Sequence, residues 1–230
     1  MRYQFTIIAL FLCLPVLFSQ QRETIVVKGE AYLESELPRE MLYSFTEFKE
    51  ATLIRKDGVE NQTRINLNLF TGDILFLSSG NQILVLAYPK DLDRIKIGDN
   101  IWLPVEDTFG EVVNHKDDFY LVKVKKTRIT DTRRESGFGG MSSTTSTRSI
   151  TQFSANNHGQ VALPVGEYDF ETSVTYRLFD GSRMVLADTK GFRKLFPSKK
   201  KEIKAYIKAN NVDFKNEDDL KALMERCLSM

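Results

Sequence analysis

The sequence predicts a mainly β protein, an antiparallel meander, sandwich or open barrel, with a two-helix C-terminal tail. Two observations carry the β prediction. Short apolar or alternating runs recur along the chain, and turn residues separate them about every 8–12 residues, the spacing of antiparallel sheet proteins. A third observation carries the tail: towards the C-terminus the apolar residues change to helical spacing.

Thr24–Val27 opens the series, and Phe45 to Ile54 fits either a strand or a short helix. Arg64-Ile65-Asn66-Leu67-Asn68-Leu69 alternates polar with apolar, the period-2 mark of a half-buried strand. Thr71-Gly72-Asp73 turns the chain into Ile74–Leu77, and Ser79-Gly80-Asn81 turns it into Ile83–Ala87. Both of these runs are apolar on both faces, which predicts central strands covered on both sides. Ile95–Ile97 and Ile101–Leu103 flank Gly98-Asp99-Asn100, and Phe109–Val113 and Phe119–Val124 flank Lys116-Asp117-Asp118. Tyr168–Phe179 is rich in β-branched and aromatic residues, Asp180-Gly181 makes a hairpin turn, and Met184–Leu186 returns.

Between these strands the composition changes. Gly137, Gly139, Gly140 and the hydroxyl run Ser142–Thr147 bury too little to offset the entropy of ordering them. Residues 131–160 therefore read as a flexible Gly/Ser/Thr-rich linker or loop, or in a sharper reading a mobile lid. In the tail, Ser198 is placed to cap a helix carrying Ile203, Tyr206 and Ile207, which Asn210-Asn211 ends. Asn216 caps the next helix, with Asp219 at its N3 position. There Leu220, Leu223, Met224, Cys227 and Leu228 share one face. That places Cys227 in a core rather than in a reactive site.

The N-terminus carries a different signal. Met1-Arg2 is a short positive start, and Phe5 to Phe18 follows without a charge. This run is too short for a hydrocarbon core of roughly 30 Å but suits the apolar region of a secretory signal peptide. Pro15 breaks a helix late in the run, and cleavage is expected between Ser19 and Gln20. An uncleaved anchor and lipid attachment at Cys13 are the competing readings; Leu10-Phe11-Leu12 before Cys13 is a poor lipidation context. The expected organisation is a signal peptide (1–19), a β-rich domain (20–130), the linker or loop (131–160), a β-hairpin of the same β domain (161–188) and the helical tail (189–230). The mature chain is expected to be periplasmic or extracellular, with no transmembrane span.

Charge and cysteine count narrow the function classes. Lys and Arg number 32 and Asp and Glu 31, so loss of Arg2 leaves a formally neutral mature chain. Neutrality argues against a dedicated nucleic-acid binder. Cys227 is the one cysteine outside the signal segment, so no internal disulfide is expected. The chain has no P-loop, GxSxG, HExxH or CxxC pattern. His115 and His158 lack ligand spacing, so neither a metal nor a cofactor is expected. The acids Glu106, Asp107, Asp117 and Asp118 are candidates for a carboxylate-based hydrolase, but they sit in turn sequences where acids are common for local reasons.

One cluster stands out. Lys190, Arg193, Lys194, Lys199, Lys200, Lys201, Lys204 and Lys208 accumulate in the tail against Glu202 alone. This is either a solvated helix face or a docking surface for an anionic partner: an envelope protein, lipid headgroups or an acidic glycan. Lysines facing an anionic surface contribute about 1 kcal/mol each. The following acids Asp213, Glu217, Asp218 and Asp219 offer an internal counter-charge.

The run Phe192-Arg193-Lys194-Leu195-Phe196-Pro197, the Lys-rich 198–209 and Val212–Leu220 resemble the C-terminal end of a group of uncharacterised exported proteins of Bacteroidetes. Leu69–Leu77 and the Gly/Ser/Thr-rich centre fit the same group. The resemblance implies export and brings no activity or site residues. The functional expectation is a non-enzymatic envelope protein that binds or scaffolds a partner, with a secreted hydrolase as the alternative.

Overall fold

The computed structural model describes residues 21–29, 31–87, 89–135, 141–143 and 160–229. The signal segment, its cleavage site, His158 and most of the expected central linker lie outside them. Among the described residues no helix is long and apolar enough to cross a membrane.

Fourteen strands and five α-helices make up the described fold. In chain order they begin with β1 (Gln21–Val27), β2 (Ala31–Tyr32), α1 (Leu33–Glu36) and α2 (Arg39–Leu42). Then come β3 (Lys49–Arg55), β4 (Glu60–Leu67), β5 (Ile74–Leu77), β6 (Ile83–Val85), β7 (Leu92–Ile97), β8 (Asn100–Val105) and β9 (Thr108–Lys116). The rest are β10 (Phe119–Glu135), β11 (Met141–Ser143), β12 (Ala162–Leu163), β13 (Gly166–Phe179), β14 (Met184–Leu186), α3 (Thr189–Leu195), α4 (Lys200–Asn210) and α5 (Glu217–Ser229).

The sheet is antiparallel throughout and runs β6-β5-β4-β3-β7-β8-β9-β10-β13-β1; β2 and β12 pair separately. It is two meanders set back to back on β3. The first runs outward from β3 to β6, and the chain then returns through Pro89–Asp91 so that β7 takes the other edge of β3. The second runs from β7 to β10. β13 lies along β10 from Tyr120↔Phe179 to Arg133↔Glu167, leaving its other edge for β1 and β14. The expected hairpin at 161–188 thus joins the main sheet, with β13 between β10 and β1. β10 itself continues to Glu135 and takes β11 as a partner, so pairing extends five residues past the expected start of the loop at 131.

The sheet curls. Leu69 donates its amide to Leu42 O and accepts one from Thr127, drawing the end of β4 onto α2 and β10. Gly72 (φ +83°) sits with its Cα against Asp107 O, where a Cβ would come within 2.4 Å. The curled half encloses Ala51, Leu53, Ile65, Leu67, Ile74, Ile95, Trp102 and Phe109, with Phe45 edge-on to Trp102 at 5.5 Å between centroids. Among the described residues the sheet does not close into a barrel; its path ends at β1 and β6.

The two faces of β10 then separate what covers them. Val122 and Val124 pack with Leu103 and Val105 beneath the β8–β9 turn. Leu121, on the opposite face, packs with Tyr176, Leu178 and the helices: Phe192, Ile203, Leu220, Leu223 and Cys227 have no exposed surface. Burying side chains of this size stabilises by about 1.5–3 kcal/mol each. The tail is a wall of the sheet rather than an appendage. Further along the same face, α1 and α2 close a separate core around Leu33, Met41, Tyr168 and Phe170.

Several local expectations are corrected. The run at Ile83–Ala87 is not a central strand: β6 forms the sheet edge, with Ile83 38% exposed and Leu84 and Val85 half-buried. Of the polar residues in the alternation at 64–69 only Arg64 reaches solvent. Asn66 and Asn68 are buried because the segment after α2 covers them. Asn66 bonds Phe45 N and O, and Asn68 Oδ1 accepts the amides of Phe70 and Thr71. The tail holds the two expected helices and the short α3 before them. Ser198 does not cap α4, because a 3-10 turn at Pro197–Lys199 delays the helix to Lys200. Asn211 ends α4 in the left-handed region (φ +48°), as the Asn pair implied.

Candidate functional site

The basic cluster is set on α3, α4 and the turn between them. Lys200, Lys201, Lys204 and Lys208 are exposed. At about 100° per residue they occupy one arc of about 100° on α4. Ile203, Tyr206 and Ile207 lie on the side turned to the core. Lys190 and Lys194 are exposed on α3. The remaining two are partly withdrawn. Arg193 is half-buried with its Nε enclosed and unpartnered. Lys199 is half-buried and donates to Cys227 O at 2.7 Å, closing the C-terminal end of α5. Lys199 therefore serves the fold, and the exposed face consists of the other lysines with Arg193 at its margin.

The acids of the tail do not neutralise this face. Glu217 turns inward, where Lys123 Nζ lies 3.0 Å from one carboxylate oxygen and Lys221 Nζ 2.7 Å from the other. Asp219 accepts the amide of Asp213 at 2.8 Å, a capping bond made across the turn rather than to Asn216. Asn216 Oδ1 caps α5 as expected, accepting from Asp218 N and Asp219 N. Among the described residues none of the eight basic side chains is in an ion pair with an acid. Lys200 and Lys201 stand in the first turn of α4, where the helix dipole disfavours cations by roughly 0.3–1 kcal/mol at low ionic strength. The sequence thus places positive charge here against local helix stability.

A polar junction missed from the sequence holds the tail in place. On the helix-covered face of β9, β10 and β13 stand Glu111, Lys123 and Tyr176, the first two directly opposite each other. Tyr176 O–H donates to Glu217 at 3.4 Å, and Asn100 donates to Glu111 at 3.2 Å. Burial pushes the Tyr176 phenol up, and Glu217 adds to it, to about 12. Burial also raises the Glu111 carboxyl against the pull of Lys123. For Glu217 burial acts upward as well, but the bonds from Lys221 and Lys123 win and hold its carboxyl below the usual range. The i,i+4 spacing of Glu217 and Lys221 was visible in the sequence. The partnership with Lys123 was not, because it depends on α5 landing on β10.

The turn acids considered for hydrolysis serve the sheet. Glu106 pairs with Arg177 at 2.8 Å and Asp107 pairs with Lys126, pinning the β8–β9 turn over β10 and β13. Asp117 takes a positive φ of 53° in the β9–β10 turn, and Asp118 packs beside Gly181. Cys227 is fully buried, and burial lifts its thiol to about 11. Among the described residues no group of three or more His, Cys, Asp or Glu side chains is gathered in a metal-holding arrangement.

A cavity of about 620 Å³ opens where the β9–β10 turn meets the tail. Asn114, His115 and Lys116 form one wall, and Tyr206, Ala222, Glu225, Arg226 and Ser229 the other. His115 is held by stacking on Tyr120 at 6.0 Å between centroids.

No family model, curated protein or solved structure matches the chain.

Proposed function

We propose that this is an exported envelope protein of the Bacteroidetes group it resembles, non-enzymatic, which binds or scaffolds an anionic envelope component through the outer face of α3 and α4. The observation that carries the reading is the set of lysines 190, 194, 200, 201, 204 and 208, exposed, without acidic partners and fixed on helices packed to the sheet. A fixed array loses less entropy on docking than a disordered basic tail. The charge set against the dipole of α4 supports a role outside the fold, because local violations of good helix chemistry concentrate at functional positions. Export rests on the apolar run from Phe5 to Phe18 after Met1-Arg2.

The test compares the mature protein with a Lys194→Glu/Lys200→Glu/Lys201→Glu/Lys204→Glu variant in sedimentation with isolated envelope fragments. The wild type is expected to co-sediment at low salt and to be released as the Debye length shortens to about 8 Å at 0.15 M. The variant is expected to stay in solution and to melt no lower than the wild type, since Glu at 200 and 201 suits the N-terminus of α4. Equal sedimentation of the two proteins overturns the reading.

A further inference from the structure

We infer that the cavity between the β9–β10 turn and the tail is a binding site for a uronic acid unit, free or within an acidic glycan. Its site is separate from the basic face, and the inference goes beyond the reading above.

Lys116 and Arg226 bring two cations to the lining and Glu225 one anion. Among the described residues none of the three is in an ion pair. The balance of one positive charge matches one carboxylate. A phosphate monoester, at roughly −1.5 to −2, would exceed it. The remaining polar groups suit hydroxyls rather than a bare ion. Asn114 offers an amide donor and acceptor, Tyr206 a hydroxyl, Ser229 an acceptor oxygen (its proton goes to Arg226 O), and Glu225 accepts from a ligand O–H. The Tyr206 ring supplies an apolar surface for a sugar face. The cavity volume of 620 Å³ falls within the roughly 300–1,000 Å³ of small-ligand sites. Ala222 brings only a methyl group to the α5 side of the lining, where a larger side chain would intrude on the hollow.

Calorimetric titration of the full mature chain tests this with galacturonate, trigalacturonate and the methyl ester of trigalacturonate. Wild type is expected to bind trigalacturonate, with the ester at least tenfold weaker. Ala222→Leu, which adds bulk to the lining without altering charge on an exposed helical position, is expected to lose binding at least tenfold. A Lys116→Gln/Arg226→Gln variant is expected to lose as much. Equal affinity for monomer and trimer assigns the site to a free sugar acid, and tighter binding of the trimer assigns it to a polymer; both support the inference. No binding of either by wild type, equal binding of the ester, or unchanged binding by Ala222→Leu overturns it. Lys201→Glu/Lys204→Glu separates the two sites. It is expected to keep galacturonate affinity within about threefold, so failure of the basic face and failure of the cavity give different results.

Discussion

Asn66 and Glu217 show how single polar residues organise this protein. Asn66 is fully buried in β4 yet satisfied, since its amide bonds both backbone groups of Phe45 and carries the chain from α2 into β3. Asn66→Ala leaves those groups enclosed without partners and is expected to cost about 1–3 kcal/mol, read as a lower urea midpoint at unchanged m-value. Glu217 acts through charge. Its folded carboxyl titrates below its unfolded value, so its contribution is complete above the ordinary carboxylate range and fades as pH falls through the folded pKa. Glu217→Gln is expected to destabilise by about 1–3 kcal/mol at neutral pH, with the gap to wild type closing in acid. Glu111 has the opposite sign: its raised carboxyl weakens the fold as pH rises above the ordinary range. Glu111→Gln is therefore expected to be neutral or stabilising at pH 7. Thermal melts of both variants across pH 3–8 check the two signs together.

At the scale of elements, the tail depends on two close fits. The Gly191 backbone of α3 lies against Leu186 O, where a Cβ would come within 1.8 Å. Gly191→Ala must push α3 away from β14 and is expected to lower the melting temperature well beyond the effect of an exposed Gly→Ala change. Leu223 fills the core between α5 and the sheet, and Leu223→Ala is expected to cost about 2–5 kcal/mol. What the sequence disclosed follows the same division. β5, β9, β10, β13 and α5 were legible because period-2 alternation, turn residues and the i,i+3,i+4 stripe are local signals. The helices α1 and α2, four residues each, have no room for a period and could not be seen that way. β6 misled because apolar residues on both faces signify burial only where neighbours exist on both sides, and strand order is not written in a three-residue run. The basic face was readable as composition. The junction of Glu111, Lys123, Tyr176 and Glu217 was not, since its members come from four elements.

For the whole molecule, the same packing creates both candidate sites. The lysines present a common surface because Ile203 and its neighbours pin α4, and the cavity exists because α5 is set beside the β9–β10 turn. Everything proposed above therefore rests on the tail and the sheet forming one cooperative unit. Native-state hydrogen exchange tests that most directly, because it reports the opening free energy of each segment separately. The central amides of α4 and α5 are predicted to exchange with the same free energy as those of β10 and β13, and Leu223→Ala is predicted to lower all four alike. Exchange of α4 and α5 at several kcal/mol below the sheet, with β10 and β13 unaffected by that substitution, would contradict the account.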